Sequence, residues 1–406
     1  MKIAYFLHTA KATDGSSKAF LHLMHDLLPK GITPLVILPQ KGEICQILHN
    51  MNIQYVILSW EARPSTYPWV NTFIGIILFI PRLVGRLLVN SLATLQSIKI
   101  LRQFSPDIIH SNSSTLAIGY YTACFLRVPH IWHIREYGDL DFNYHYYPNK
   151  KIQQSRYQLD NSYTICITKD IQKYNNLSNQ YRSTVIYDGV LSKDCTTYKK
   201  DKKPYFLYAG RLEQAKGIIP LIDAYSEYLK KTTSPLHLYV AGGGADSYIE
   251  EVKIKIQQYG ISKYIKLLGI RKDILEIYSH AKAFIVPSLS EGFGFITAEA
   301  MFSGCLVIGN NTAGTKEQFD NGKEITGEEI ALRYSTQEQL IQHLIDVTNN
   351  PSLEYEAMIL RGQAVAKQLY SIEENANKIH KFYLFIIQNN KKNHEEFIYH
   401  HTNLQF

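Results

Sequence analysis

Two carboxylates, Glu291 and Glu299, stand eight positions apart in the stretch PSLSEGFGFITAEAMFSG, Pro287 to Gly304. Gly292, Phe293 and Gly294 lie between them, and Phe295 onward reads as the start of a helix. A glycine loop of this kind can press backbone N–H groups against an anion at a helix N-terminus. Glu291 then sits in the loop, and Glu299 about a turn and a half into the helix at ~3.6 residues per turn. Two acids beside an anion-binding turn suit hydroxyl-rich groups on either side of a phosphate. Upstream, YFLYAGRLEQAKG runs from Tyr205 to Gly217. Gly210 and Arg211 follow a strand pattern there, and Lys216 and Gly217 open a helix. Cations at the carboxyl end of a strand occupy the ligand edge of an open α/β sheet. Arg211 by bidentate hydrogen bonding and Lys216 as a point charge can neutralise a diphosphate.

The flanking elements are legible. Ala283 to Pro287 is a short apolar run of strand type, Gly304 fits a helix end, and Leu306 to Ile308 is a second apolar run. The local unit is strand, glycine loop, helix, strand. The same rhythm fills the chain, with apolar runs beginning at Ile3, Pro34, Tyr55, Asp107, His130 and Tyr163, then at Tyr205, His237, Tyr264, Ala283 and Cys305. Alternation with helical patterns predicts parallel sheets with crossover helices. The expectation is an α/β protein of two Rossmann-like domains facing a central cleft, residues 1–190 and 204–370. The polar, lysine-rich stretch Leu191 to Pro204 reads as the linker. The tail from Tyr370 reads as helical to about Ile387, and the residues after it show no periodicity.

Composition narrows the classes. The chain has 406 residues, 45% hydrophobic, enough for two globular domains. Formal net charge is +7, from 43 basic and 36 acidic residues. That fits anionic substrates or an anionic membrane, and equally a surface kept soluble by charge. No zinc-finger spacing, RNA-binding aromatic signature or long basic run points to nucleic acid. Five cysteines at wide spacings, with no C-x-x-C, argue against a disulfide framework or a zinc site. The N-terminus reads as a first strand rather than a signal peptide, which predicts a cytoplasmic protein. Residues 72–104 interleave Arg82, Arg86, Lys99 and Arg102 with Leu and Ile. The apolar run from Phe73 to Ile80 is too short to span a bilayer, and Pro81, Arg82 and Arg86 interrupt anything longer. The pattern predicts a helix lying on the inner face of a membrane, the alternative being a core helix with snorkelling arginines. Asp139-Leu140-Asp141 spells D-x-D, a metal motif of another fold, and reads here as a surface loop.

The pair G-R-L-x3-K-G and P-S-x2-E-G-F-G-x4-E-A, about eighty residues apart, resembles the retaining, nucleotide-sugar-dependent glycosyltransferases of the GT-B fold, group 1 or family 4 type. The likeness is strong in the C-terminal half and weaker in the N-terminal half. It implies a last helix, 371–390, crossing back onto the N-terminal domain. It implies that Arg211 and Lys216, with Gly210, hold the diphosphate of the donor, and that Glu299 binds the ribose hydroxyls. Glu291 is implied near the sugar and leaving phosphate, with the backbone of Gly292, Phe293, Gly294 and Phe295 offering N–H groups. Gly269 and Ile270 match the turn that holds the base. His133, in His133-Ile134-Arg135-Glu136, matches a histidine that reaches the donor sugar; a histidine at a strand end is also often structural. Gly15 and Ser16 match the glycine-rich loop near the reacting phosphate, although this chain has one glycine where two are usual. Leu306 and Phe302 replace a frequent proline and alanine.

The implied reaction is transfer of a hexose from a nucleotide sugar, UDP-linked by preference, to a lipid-linked glycan in bacterial capsule or cell-envelope polysaccharide assembly. Retention of configuration comes from the resemblance alone. No metal or other cofactor is expected. Two carboxylates also suit a glycosidase, but here one acid is in the turn, one is within the helix, and the Arg-Lys pair implies a phosphate leaving group. A non-catalytic GT-B subunit that binds nucleotide sugar, and a sugar-nucleotide epimerase, are the competing readings.

Overall fold

The computed structural model describes residues 1–60, 66–67, 73–142, 144–146, 149–178 and 180–402. The chain divides into two compact units, Met1–Gly189 with Glu373–Phe406, and Val190–Ile372.

The first unit is built on a parallel sheet of seven strands: β1 (Lys2–Phe6), β2 (Thr33–Leu38), β3 (Gln54–Ile57), β5 (Ile108–Ser111), β6 (His130–Ile134), β8 (Ser162–Cys166) and β9 (Ser183–Val185). Their order is β3-β2-β1-β5-β6-β8-β9. Two short strands outside it, β4 (Thr66–Tyr67) and β7 (His145–Tyr146), pair antiparallel. The side-chain period of two sends alternate residues to opposite faces. Ile3 and Tyr5 join a core with Val36 and Leu38, while Ala4 and Phe6 join another with Leu35 and Ile37. Helices cover both faces, so the central strands are buried throughout, as parallel sheets require.

One covering helix is Ile372–Thr402. Its Ala376, Ile379, Phe382, Tyr383 and Ile386 belong to the core with Tyr5. The spacing is that of one helical face. The helix runs beyond the Ile387 expected from periodicity. On the opposite face lies the helix Phe73–Phe104, which contains Pro81. Pro81 does not end it: a proline removes one hydrogen bond, and the Ile, Leu and Arg around it favour the helix. Ala93 and Leu101 join the core, and Ser97 Oγ lies 2.6 Å from Thr122 Oγ1.

The second unit carries six parallel strands: β10 (Lys203–Ala209), β11 (His237–Ala241), β12 (Ile265–Gly269), β13 (Ala281–Val286), β14 (Val307–Asn310) and β15 (Leu332–Tyr334). Their order is β12-β11-β10-β13-β14-β15. The expected linker is tied to this unit. Val190 N donates to Tyr370 O, Thr197 N donates to Phe302 O, and Lys202 Nζ donates to Ser279 O and Gly304 O. The Lys202 amine and these backbone groups find fixed acceptors, so this stretch is anchored rather than free.

Candidate functional site

In the second unit two loops meet at the carboxyl ends of β10 and β13. Gly217 has φ 71°, and a Cβ there would lie 2.1 Å from Pro287 O. Only glycine permits that approach. Leu289 N donates to Ala215 O at 3.0 Å and stitches the loops together. The result is a short ion pair: Lys216 Nζ to Glu291 Oε1, 2.8 Å, with side chains 17% and 12% exposed. Ser288 Oγ donates to the same oxygen at 2.8 Å. Among the described residues, Glu291 Oε2 has no donor. Lys216 has three N–H donors and one is spent here, so both partners keep capacity for a ligand.

The glycine loop is pinned from behind. Gly314 N donates to Glu291 O, and Gln318 Nε2 donates to Phe293 O and Gly294 O. A Cβ on Gly314 would strike those carbonyls, at 2.6 Å from Phe293 O and 2.8 Å from Glu291 O. With its carbonyls held, the loop enters the helix Phe295–Phe302 through Gly294 at φ 92°. The first-turn N–H groups of any helix lack intrahelical partners. Gly292 is half-buried, Phe293 is buried, and Glu299 is half-buried on the second turn. Thr297 Oγ1 and Thr315 Oγ1 are buried without hydrogen-bond partners, and both lie near Gly294.

Arg211 follows Gly210 at the end of β10. Its Nη2 is 3.2 Å from Glu213 Oε1, and its side chain is 65% exposed. A pair that exposed holds weakly, so the guanidinium is free to turn to an anion. Gly242 packs on Gly210, where a Cβ would lie 1.8 Å from its carbonyl. Gly242 N donates to Gly269 O, and Ile270 beyond it is 84% exposed. Thus Gly210, Gly269 and Ile270 share the sheet edge that carries Lys216 and Glu291. Sequence reasoning overlooked Ser288, Gly314 and Gln318, which support the loop; a small residue after β14 was the available signal for Gly314.

The first unit has its own polar cluster. Gly15 begins the helix Gly15–Leu27, and Ser16 O accepts from Asn112 Nδ2. A Cβ on Gly15 meets nothing within 4 Å, so packing does not demand glycine there. His133 is wholly buried. Its Nδ1 is 3.1 Å from His110 Nε2 and 3.2 Å from Arg135 Nη2. Arg135 also binds Asn112 Oδ1 and forms a short ion pair with Asp188. Burial, then the Arg135 charge, holds the His133 imidazole well below its ordinary range, and His110 is lowered to about 3 by the same causes. Both rings are therefore neutral.

Asp139-Leu140-Asp141 is not a loop. It forms the helical turn Asp139–Phe142. Asp141 accepts from the N–H groups of Tyr137 and Gly138, and burial, then Glu136, raises its carboxyl to about 6. Asp139 accepts from Lys150 and Tyr174. Both acids therefore serve local structure. Among the described residues no group of three or more His, Cys, Asp or Glu side chains could hold a metal ion.

The family model of the glycosyl transferases group 1 matches residues 196–364. Alpha-1,3/1,6-mannosyltransferase ALG2 of Homo sapiens is 29% identical over 199 residues, 45% of each chain. The capsular polysaccharide biosynthesis glycosyltransferase CapH of Staphylococcus aureus is 22% identical over 233 residues, 54% of this chain and 64% of that protein. The chain spans less than half the length of the first curated relatives it matches. Among solved structures, Anabaena HepE in complex with UDP superposes with a TM-score of 0.73 at 17% identity, covering 94% of this chain and 99% of that one. HepE has also been solved with UDP-glucose. Two parallel-sheet α/β units of this kind constitute the GT-B fold.

Proposed function

We propose, from the match of residues 196–364 to the group 1 glycosyl transferases, that this protein is a glycosyltransferase that moves a hexose from a UDP-sugar to a lipid-linked glycan of polysaccharide assembly, with retention of configuration. The observation that carries the reading is the Lys216–Glu291–Ser288 cluster fixed against a glycine loop at a helix start. Cleavage of the sugar–diphosphate bond builds negative charge on the leaving group. Preorganised donors aimed at that charge are a large part of such catalysis. Lys216 and Arg211 supply the charge, so the reaction needs no metal ion. Glu299 accepts from the ribose hydroxyls, Glu291 Oε2 accepts from a hydroxyl of the sugar, and Ile270 covers the base.

The same reading places the protein on the inner face of the cytoplasmic membrane. The helix Ile77–Phe104 is apolar enough to cross a bilayer by composition, with mean hydropathy 1.4, yet little of it is buried in the protein. It carries four cations and no acid, and Ile80 and Leu88 are exposed. Its later half is docked in the first unit. The remaining length, Phe73 to Asn90, is about 27 Å at ~1.5 Å per residue, short of a ~30 Å hydrocarbon core. Lying in the interface with Arg82 and Arg86 on anionic headgroups satisfies both constraints.

The test is a panel of UDP-, GDP-, ADP- and dTDP-sugars read by thermal shift and by slow nucleotide release. Binding raises stability with the logarithm of ligand over Kd. Stabilisation and slow hydrolysis with a UDP-sugar are expected. No stabilisation by any nucleotide sugar would refute the transferase reading.

A further inference from the structure

Four side chains from four separate elements form one buried chain in the first unit. Tyr5 on β1, His110 on β5 and His133 on β6 occupy the same face of the sheet, and Tyr383 reaches them from the helix Ile372–Thr402. All four are fully buried. We infer that Tyr383 is a positioning residue for His133: it fixes the tautomer of His110, whose Nε2–H, with Arg135, holds the His133 ring with its proton on Nε2.

The assignment follows from donor counting. A guanidinium only donates. Arg135 Nη2 lies 3.2 Å from His133 Nδ1, so that nitrogen accepts. His110 Nε2 lies 3.1 Å from the same nitrogen and must therefore be the protonated one on its ring. His110 Nδ1 is then an acceptor, and it takes the Tyr383 hydroxyl at 2.7 Å. That spends the only proton of Tyr383, so Tyr5 OH donates to Tyr383 Oη at 3.0 Å. The chain runs in one direction and leaves the proton of neutral His133 on Nε2. A proton added at Nδ1 would face two donors, which excludes the imidazolium.

His133 Nε2 is buried without a hydrogen-bond partner, and Asp188 Oδ1 at 3.9 Å is beyond bonding distance. An unspent donor of this kind suits an acceptor oxygen, such as a sugar hydroxyl. That last step rests on the proposed transferase activity, and the tautomer does not. Without Tyr383, His110 is free to protonate Nδ1. Its Nε2 lone pair would then oppose the Nδ1 lone pair of His133 and push the ring out of place.

The test uses the full-length protein labelled with 15N and long-range imidazole spectra from pH 5 to 8. The wild type should show His110 and His133 neutral, each protonated on Nε2 alone. Tyr383→Phe should give His110 mixed tautomers and lower kcat about tenfold, with donor KM within about twofold, as loss of one buried donor predicts. Tyr5→Phe keeps the Tyr383 donor and should leave both tautomers in place. A wild-type His133 protonated on Nδ1 overturns the inference even if no variant folds. So does a Tyr383→Phe spectrum identical to wild type. Because the spectra need no substrate, a missing transferase activity would leave this result readable.

Discussion

The two units handle buried polarity in opposite ways. At the Lys216–Glu291 loop of the second unit, charges are paired, partly open and left with spare donors and acceptors. Around His133 in the first unit, the rings are sealed from solvent and bonded in series to Tyr383 and Tyr5. The open pair can exchange protein partners for a ligand at little cost. The sealed chain can only hold a geometry.

Breaking the open site should cost most. Lys216→Gln is expected to lower transfer about 10²–10³-fold, the scale for removing one preorganised charge-stabilising donor, with circular dichroism unchanged. A variant of near wild-type rate would place the diphosphate elsewhere. Gly217→Ala combines a positive φ with a Cβ 2.1 Å from Pro287 O. It should destabilise by about 3 kcal/mol or more, read as a lower urea midpoint, and it should separate Lys216 from Glu291. Glu299→Ala should weaken UDP-sugar binding about tenfold, the scale for one charge-assisted hydrogen bond, with kcat nearly kept. Unchanged affinity would remove Glu299 from the ribose.

The sealed cluster answers to pH instead. His110, His130 and His133 have folded pKa values depressed by burial below the ordinary ~6.5. Above that value both states are neutral and nothing changes. Below it the unfolded chain takes protons that the native state refuses. Stability should then fall as pH drops from about 6.5 toward 3, by up to ~1.4 kcal/mol per pH unit for each histidine. Urea midpoints at pH 7 and 5 measure it, and a flat profile would mean the rings are charged in place. The smallest effect is expected at the helix Phe73–Phe104, proposed to lie on a membrane. Arg82→Glu with Arg86→Glu should release the protein from anionic vesicles, at ~1 kcal/mol per charge, without altering donor binding; retained vesicle binding would remove the interfacial role.

Sequence legibility follows the same division. The second-unit site is contiguous: glycines, cations and acids within two short stretches declare a turn, a helix start and a charge, and the structure brings Lys216 and Glu291 together. The first-unit cluster is dispersed. Alternation along β1, β5 and β6 could have aligned Tyr5, His110 and His133, but nothing local marks Tyr383, 273 positions from His110. The D-x-D acids misled because their donors are backbone N–H groups, a lysine and a tyrosine that composition does not reveal.

Closing the first unit with the helix Ile372–Thr402 has a consequence for synthesis on the ribosome. Helices made early, Gly15–Leu27 among them, cover part of the sheet face bearing Tyr5, but the part under Ala376, Ile379 and Tyr383 is covered only by residues translated after the whole of Val190–Ile372. At ~5–20 residues per second, those roughly 183 residues take about 10–40 s. The second unit can finish folding in that interval, while the first waits with part of an apolar face uncovered. Nascent chains of this protein should be chaperone clients until their last helix emerges.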